Sequence, residues 1–282
     1  MDNASALRRQ LLAELRRLRP PHVHTQRQVA EALDWSPSKV TRIESGAVSL
    51  SVTDLRALLG FYGVADVDVV ERLVDLARRS RRARSPFAAY ADTFSAVALR
   101  FFDFEHSASW VGELDLLVVP GLLQTEEYAR ALMSVYGLAA DTAERFVSSR
   151  LVRQQVLGRS DPPTLSFVVD ESVLLRRIGG PIVMRAQLQR LLDLAERPEV
   201  EIRVLPLALG EHVGLRGSFV LLRFAGTADA DVVYIEQRRG DALFQDELEV
   251  IANHRRLFAE LERCACPPNE LPAYVGRAMA AL

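Results

Sequence analysis

The chain reads as α+β overall, in two parts: an all-α five-helix segment over residues 1–86 and a mixed α+β segment over residues 87–282. Three observations predict this. Before Pro86, apolar residues recur at helical intervals in five short runs. The arginine-rich stretch Arg78-Arg-Ser-Arg-Arg-Ala-Arg-Ser-Pro86 is the best domain boundary in the chain, as a solvated helix end, a linker or a phosphate-touching arm. Beyond it, β-branched runs mix with amphipathic helices without strict βαβ alternation.

The first helix spans 4–18, with Leu7, Leu11, Leu15 and Leu18 on one face, and Pro20 and Pro21 end it. Thr25 is the N-cap of a second helix over Gln26–Leu33, whose Val29, Ala30 and Leu33 are buried. Ser36 caps a third, with Pro37 at its first position, where a missing N–H does no harm. Val40 and Ile43 of that helix meet Ala30, and Gly46 is placed for a left-handed C-cap. Its opposite face carries Ser38, Lys39, Thr41 and Arg42, polar and free of acid. Ser51 caps a fourth helix with Val52, Leu55, Leu58 and Leu59 inward, closed by Gly60 and Gly63. A fifth covers about 66–80, with Val69, Val70, Leu73, Leu76 and Ala77 inward.

Further on, helices are expected at about 89–109, 125–136, 141–158, 181–197 and 246–263. Leu114–Val119, an apolar run read as a strand ahead of the Pro120-Gly turn, separates the first two. Leu165–Val169, Glu201–Leu207, Ser218–Phe224 and Val232–Glu236 are the expected strands, with a turn-rich Ala225–Asp231 between the last pair. A less ordered tail is expected from Pro267.

Charge divides with the fold. Up to Pro86 there are 15 Lys and Arg against 10 Asp and Glu, and the remainder carries 20 against 27. A basic head on an acidic body suits a chain whose first part meets a polyanion. No apolar run reaches membrane-span length, and arginines interrupt the N-terminal leucines, so the expected location is cytoplasmic. His22-Val-His24 reads as a solvated loop rather than half of a metal site, and Cys264 and Cys266 are too close for a typical bridge. No phosphate-cradling loop, dinucleotide fingerprint or nucleophile elbow occurs. The expectation is a non-enzyme without cofactor or metal.

Two short helices, the second polar and basic, form a helix-turn-helix, the motif that places side chains in the DNA major groove. Double-stranded DNA is therefore the expected partner. Ser36, Ser38, Lys39 and Arg42 are the expected base-reading residues, with Arg42 the best donor pair for guanine O6 and N7. Thr25 and Gln26 at a helix N-terminus, with Arg27, are the expected phosphate contacts. Glu44 is expected to tie helices together, and Trp35 to pack rather than stack on a base.

The segment Thr25-Gln-Arg-Gln-Val-Ala-Glu-Ala-Leu-Asp-Trp-Ser-Pro-Ser-Lys-Val-Thr-Arg-Ile-Glu-Ser-Gly46 resembles the phage-repressor or Xre type of helix-turn-helix, over about residues 5–65. Pro37 departs from that pattern, where a polar side chain is more usual, and removes one base contact. Val119-Pro-Gly-Leu-Leu-Gln-Thr-Glu-Glu-Tyr-Ala-Arg-Ala131, Gly180-Pro-Ile-Val-Met-Arg-Ala-Gln-Leu188 and Gly217-Ser-Phe-Val-Leu-Leu-Arg-Phe224 resemble the actinobacterial WhiJ-like regulators, over about residues 90–270. The resemblance implies a transcriptional regulator whose C-terminal domain has a poorly defined role, often encoded beside a small acidic partner protein.

Pro120-Gly-Leu-Leu-Gln-Thr admits two readings. It is a strand-to-helix corner dictated by geometry, or it lines a pocket or partner groove with Gln124, Tyr128 and Arg130 as polar contacts. Three functional classes follow: a homodimeric transcription factor, an antitoxin-like protein that captures a small partner and autoregulates through DNA, and a sensor of a small-molecule effector.

Overall fold

A computed structural model describes residues 4–19, 25–44, 50–82, 85–225, 231–236, 242–245 and 247–282. The chain divides into two compact units, Met1–Pro86 and Phe87–Ala225 with Asp231–Leu282. Pro20, Pro21, His22, His24 and Gly46 lie outside the described residues, as does most of the turn expected at 225–231.

The first unit contains α1 (Ala4–Leu18), α2 (Gln26–Ala32), α3 (Pro37–Glu44), α4 (Val52–Phe61) and α5 (Val67–Arg82). Its core joins the expected leucine stripe of α1, Leu7, Leu11 and Leu15, to Leu55 and Leu59 of α4 and Leu73, Val74 and Ala77 of α5. Val29, Ala30, Val40 and Ile43 close the same core from α2 and α3, and Leu33 and Trp35 pack on its margin. Gly60 lies inside α4, and Gly63 alone, at φ 73°, supplies the left-handed turn after it.

The second unit is built on a six-stranded mixed sheet. Its strands are β1 (Trp110–Asp115), β2 (Thr164–Asp170), β3 (Val200–Leu205), β4 (Phe219–Arg223), β5 (Val232–Glu236) and β6 (Ala242–Gln245), in the order β3-β2-β1-β4-β5-β6. β1, β2 and β3 run parallel, and β4 to β6 form an antiparallel meander joined to β1. Parallel pairing needs long crossovers. They are α7 (Glu126–Ser134) with α8 (Ala140–Gln154) between β1 and β2, and α9 (Glu171–Leu175) with α10 (Gly180–Ala195) between β2 and β3. One face of the sheet, with Val111, Phe167, Val169 and Val220, packs with Phe101 and Phe104 of α6 (Ala96–Ser107) and Leu188 and Leu191 of α10. The other, with Leu114, Val168 and Leu221, is covered by Phe258 and Leu261 of α11 (Leu248–Cys264).

Three expectations need correction. The helix expected at 89–109 begins only at Ala96, capped by Ser95, after a single 3-10 turn at Ala88–Tyr90. The apolar segment 114–119 is not the strand: β1 lies four residues earlier, where Gly112, Glu113 and Asp115 obscure the pattern. The tail after Pro267 is ordered as α12 (Leu271–Ala280). Leu271, Val275 and Ala278 recur at helical spacing and are buried in the core that also holds α10 and β3, and the Cys266 N–H donates to Val204 O at 2.8 Å.

Candidate nucleic-acid interface

Thr25 starts α2 with a full capping box. Its Oγ1 accepts from Gln28 N at 3.2 Å, and Gln28 Oε1 accepts from Thr25 N at 2.7 Å. Leu33 then closes the helix, and Asp34 turns the chain at φ 52°, the one non-glycine residue in the left-handed region among those described. Aspartate tolerates that conformation better than most side chains. Trp35 N donates to Ala30 O at 2.8 Å, and Ser36 Oγ accepts from Lys39 N at 3.2 Å to cap α3. The turn is thus fixed by backbone chemistry on both sides.

Glu44, at the end of α3, holds the unit's inner charges together. It receives Gln26 Nε2 at 2.8 Å and pairs with Arg19, while Arg16 donates to its carbonyl at 3.3 Å. Gln26 Oε1 also accepts from Thr41 Oγ1 at 3.3 Å, so α2 is pinned to α3 by one side chain. Lys39 Nζ pairs with Asp54 Oδ1 of α4 at 2.8 Å and sits 4.1 Å from the centre of the Trp35 ring. Burial pushes the Asp54 carboxyl up, but Lys39 and Ser51 outweigh it and hold it below its ordinary value.

The expected base-reading residues therefore divide. Ser36, Ser38 and Arg42 are exposed on α3 and its cap, with Thr41 beside them. Ser36 and Ser38 hydroxyls lie 3.1 Å apart, and Arg42 Nε donates to Ser38 O at 3.2 Å along its own helix. Lys39 is turned toward Trp35 and Asp54 instead. The expected phosphate contacts are all exposed, yet each is engaged: Thr25 in its cap, Gln26 with Glu44 and Thr41, and Arg27 with Glu31 at 2.8 Å. Sequence reading missed the Lys39–Asp54 and Arg19–Glu44 pairs, because the partners lie 15 and 25 residues apart.

The corner of the second unit separates its three expected contacts. Gln124 Nε2 donates to Val119 O at 2.6 Å, and Tyr128 Oη accepts from Val119 N at 3.1 Å. Both side chains are buried. Burial raises the Tyr128 hydroxyl to about 12. Gln187 of α10 braces the same corner, accepting from Thr125 N at 2.7 Å and donating to Leu123 O at 2.9 Å. Arg130 is exposed and pairs with Glu126 and Glu144, because two residues along a helix turn a side chain well past the buried face. Gln124 and Tyr128 meet at Val119, and Arg130 does not join them.

Beside this corner lies a set of charges that the sequence signals only as acids in apolar runs. Arg153 of α8 makes two hydrogen bonds to Glu105 of α6, at 2.6 and 2.7 Å, with Glu105 only 1% exposed. Arg150 Nη1 donates to Gln124 Oε1 at 2.8 Å. Burial first, then repulsion from Arg153, lowers the Arg150 guanidinium to about 10. Glu113 of β1 is raised to about 8 by burial, with Asp115 and Glu105 adding to it. Among the described residues no three His, Cys, Asp or Glu side chains gather as a metal site, and no helix is long and apolar enough to cross a membrane.

The geometry of α2 and α3 is that of a DNA-binding helix-turn-helix protein, and the Helix-turn-helix domain family matches residues 10–73. The family described as Domain of unknown function (DUF5753) matches residues 98–271, more than half of the chain, and the chain belongs to it. No curated protein and no solved structure matches the chain.

Proposed function

We propose that this chain is a sequence-specific transcriptional regulator that acts as a homodimer in the cytoplasm and is controlled through its C-terminal unit, in the manner its resemblance to the WhiJ-like regulators implies. The observation that carries the reading is the exposed face of α3: Ser38, Thr41 and Arg42, polar and without an acid, within a matched helix-turn-helix domain. In this reading Arg42 spans guanine O6 and N7, Ser36 and Ser38 touch neighbouring bases, and Lys39 reaches DNA only by leaving Asp54. Thr25, Gln26 and Arg27 approach phosphate at the start of α2, with Arg27 exchanging Glu31 for the backbone. One such unit buries about 600–1,000 Å² on DNA, so paired half-sites supply the affinity.

A fluorescence titration of full-length protein on genomic fragments, repeated across salt concentrations, tests this. The expected result is retention of specific fragments over competitor DNA, with log affinity falling linearly against log salt by about 0.9 per phosphate neutralised. Equal binding to every fragment, or none, contradicts the proposal.

A further inference from the structure

Four leucines stand exposed at one rim of the sheet. Leu117 follows β1 and is 64% exposed, Leu207 and Leu209 follow β3 at 55% and 37%, and Leu215 precedes β4 at 61%. β1 and β3 run in the same direction and β4 runs antiparallel to β1, so the ends of the first two and the start of the third share one side. In the order β3-β2-β1-β4, at about 4.8 Å per strand, the strand ends that bear the leucines span about 15 Å. Single exposed apolar side chains are ordinary on a surface, but several together mark a contact.

The backbone beneath them is fixed. Leu207 N donates to Glu171 Oε2 at 2.9 Å, at the end of β2, and Leu209 N closes a 3-10 turn on Pro206 O at 2.9 Å. A second such turn, Val213–Arg216, is seated so closely that a Cβ built on Gly214 stands 2.8 Å from Leu114 and 2.9 Å from Leu261. Leu116 N donates to Ser218 Oγ at 3.2 Å and ties the segment bearing Leu117 to the start of β4. The leucines cannot turn inward without breaking these contacts, so a partner must cover them.

The charges on the same rim indicate which partner. Glu211 and Arg216 lie between the leucines and β4, both exposed, and neither side chain makes a hydrogen bond or ion pair among the described residues. A two-fold axis that brings Glu211 of one copy to Arg216 of the other makes the same contact twice, so the surface is complementary to itself. Another exposed apolar position, Ile182 of α10, differs in this respect. Arg176, Arg177 and Arg185 are exposed along its stretch, and residues 175–189 contain no acid, so a second copy set against it meets like charge.

We propose that this rim is the two-fold interface through which a second copy of the chain binds, with Leu117, Leu207, Leu209 and Leu215 as its apolar centre and reciprocal Glu211–Arg216 pairs at its edge. This interface rests on the homodimer reading above and assigns the contact to the C-terminal unit. It is tested without DNA, so its failure leaves the DNA reading standing.

Sedimentation equilibrium of the full-length protein over about 0.1–100 μM measures the association, and the parent chain is expected to dimerise within that range. Leu207→Glu combined with Leu215→Glu is expected to weaken the dimer by about a hundredfold or more, whereas Ile182→Glu leaves it within about threefold. Glu211→Arg and Arg216→Glu each set like charges opposite twice and are expected to weaken it by about tenfold. The two substitutions in one chain, or the two single variants mixed, restore opposite charges and bring association back to within about threefold of the parent. All these positions are exposed, so the variants keep the fold, which their denaturation midpoints check. A parent chain that stays monomeric overturns this interface and the homodimer reading together, and leaves the leucines to a different partner. A dimer unaffected by the paired leucine substitution, or a charge-swapped double variant no tighter than either single one, overturns the interface alone.

Discussion

The ion pairs at the helix-turn-helix of the first unit and those between α6 and α8 of the second are placed in opposite ways. In the first, the ion pairs that shape the helix-turn-helix stay near the surface: Lys39 is 34% exposed and its partner Asp54 27%. In the second, Glu105 and Arg153 are sealed between α6 and α8, with rings of Phe101 and Phe102 against the guanidinium. A surface pair can open and re-form around an anionic partner for little free energy, because water takes over each charge. A buried pair cannot, because either member left alone is stranded in a low dielectric. The Lys39–Asp54 pair can therefore exchange partners, and the Glu105–Arg153 pair holds one fixed arrangement.

Breaking the inner pair gives the largest expected effect. Arg153→Ala leaves Glu105 buried and uncompensated and is expected to lower stability by about 3–5 kcal/mol, whereas Glu105→Leu with Arg153→Met recovers most of the loss. Urea denaturation of both variants measures this. A single substitution no worse than the double one would mean that water reaches Glu105.

Glu113 sharpens the contrast through pH. Its folded value near 8 stands above the ordinary 4.5. Between those values the folded chain keeps a proton that the unfolded chain has lost, so stability falls as pH rises from about 4.5 to 8 and then levels. Glu113→Gln removes that slope and is expected to stabilise the protein by roughly 2–3 kcal/mol at pH 6.5, with little change near pH 4.5. Denaturation midpoints across the pH range report it, and parallel curves for the two proteins would refute it.

The surface pair should matter far less. Lys39→Met is expected to change stability by less than about 1 kcal/mol, read from the same denaturation curves, and to be screened by salt. At the turn, Asp34→Val forces a branched side chain into the left-handed region and is expected to be destabilising by about 1–2 kcal/mol, while Asp34→Gly is tolerated. A valine variant as stable as the parent would mean that the turn relaxes.

Where one residue's neighbours in sequence decide its fate, the sequence was legible. Thr25, Ser36 and Ser51 act as caps as their spacing implies, and Leu7, Leu11 and Leu15 are buried as their period implies. Glu44 ties α1 and α2 to α3. What was not legible depends on pairs distant in the chain. Lys39 finds Asp54, Arg153 finds Glu105 across 48 residues, and Gln187 braces a corner 62 residues away. β1 was misplaced for a related reason: Glu113 breaks the apolar pattern of a central strand, and nothing local shows that arginines wait above it. The helical tail was missed because Pro267, Pro268, Pro272 and Gly276 read locally as helix breakers, although Leu271, Val275 and Ala278 keep helical spacing.

Base reading by α3 is tested most directly by in vitro selection of bound DNA from a randomised pool. Full-length protein should enrich one sequence pattern, and Arg42→Ala should keep its other positions while losing preference at a single base pair, a change worth about 1–3 kcal/mol in competition binding. An Arg42→Ala variant that enriches the same pattern with the same preference at every position would contradict it.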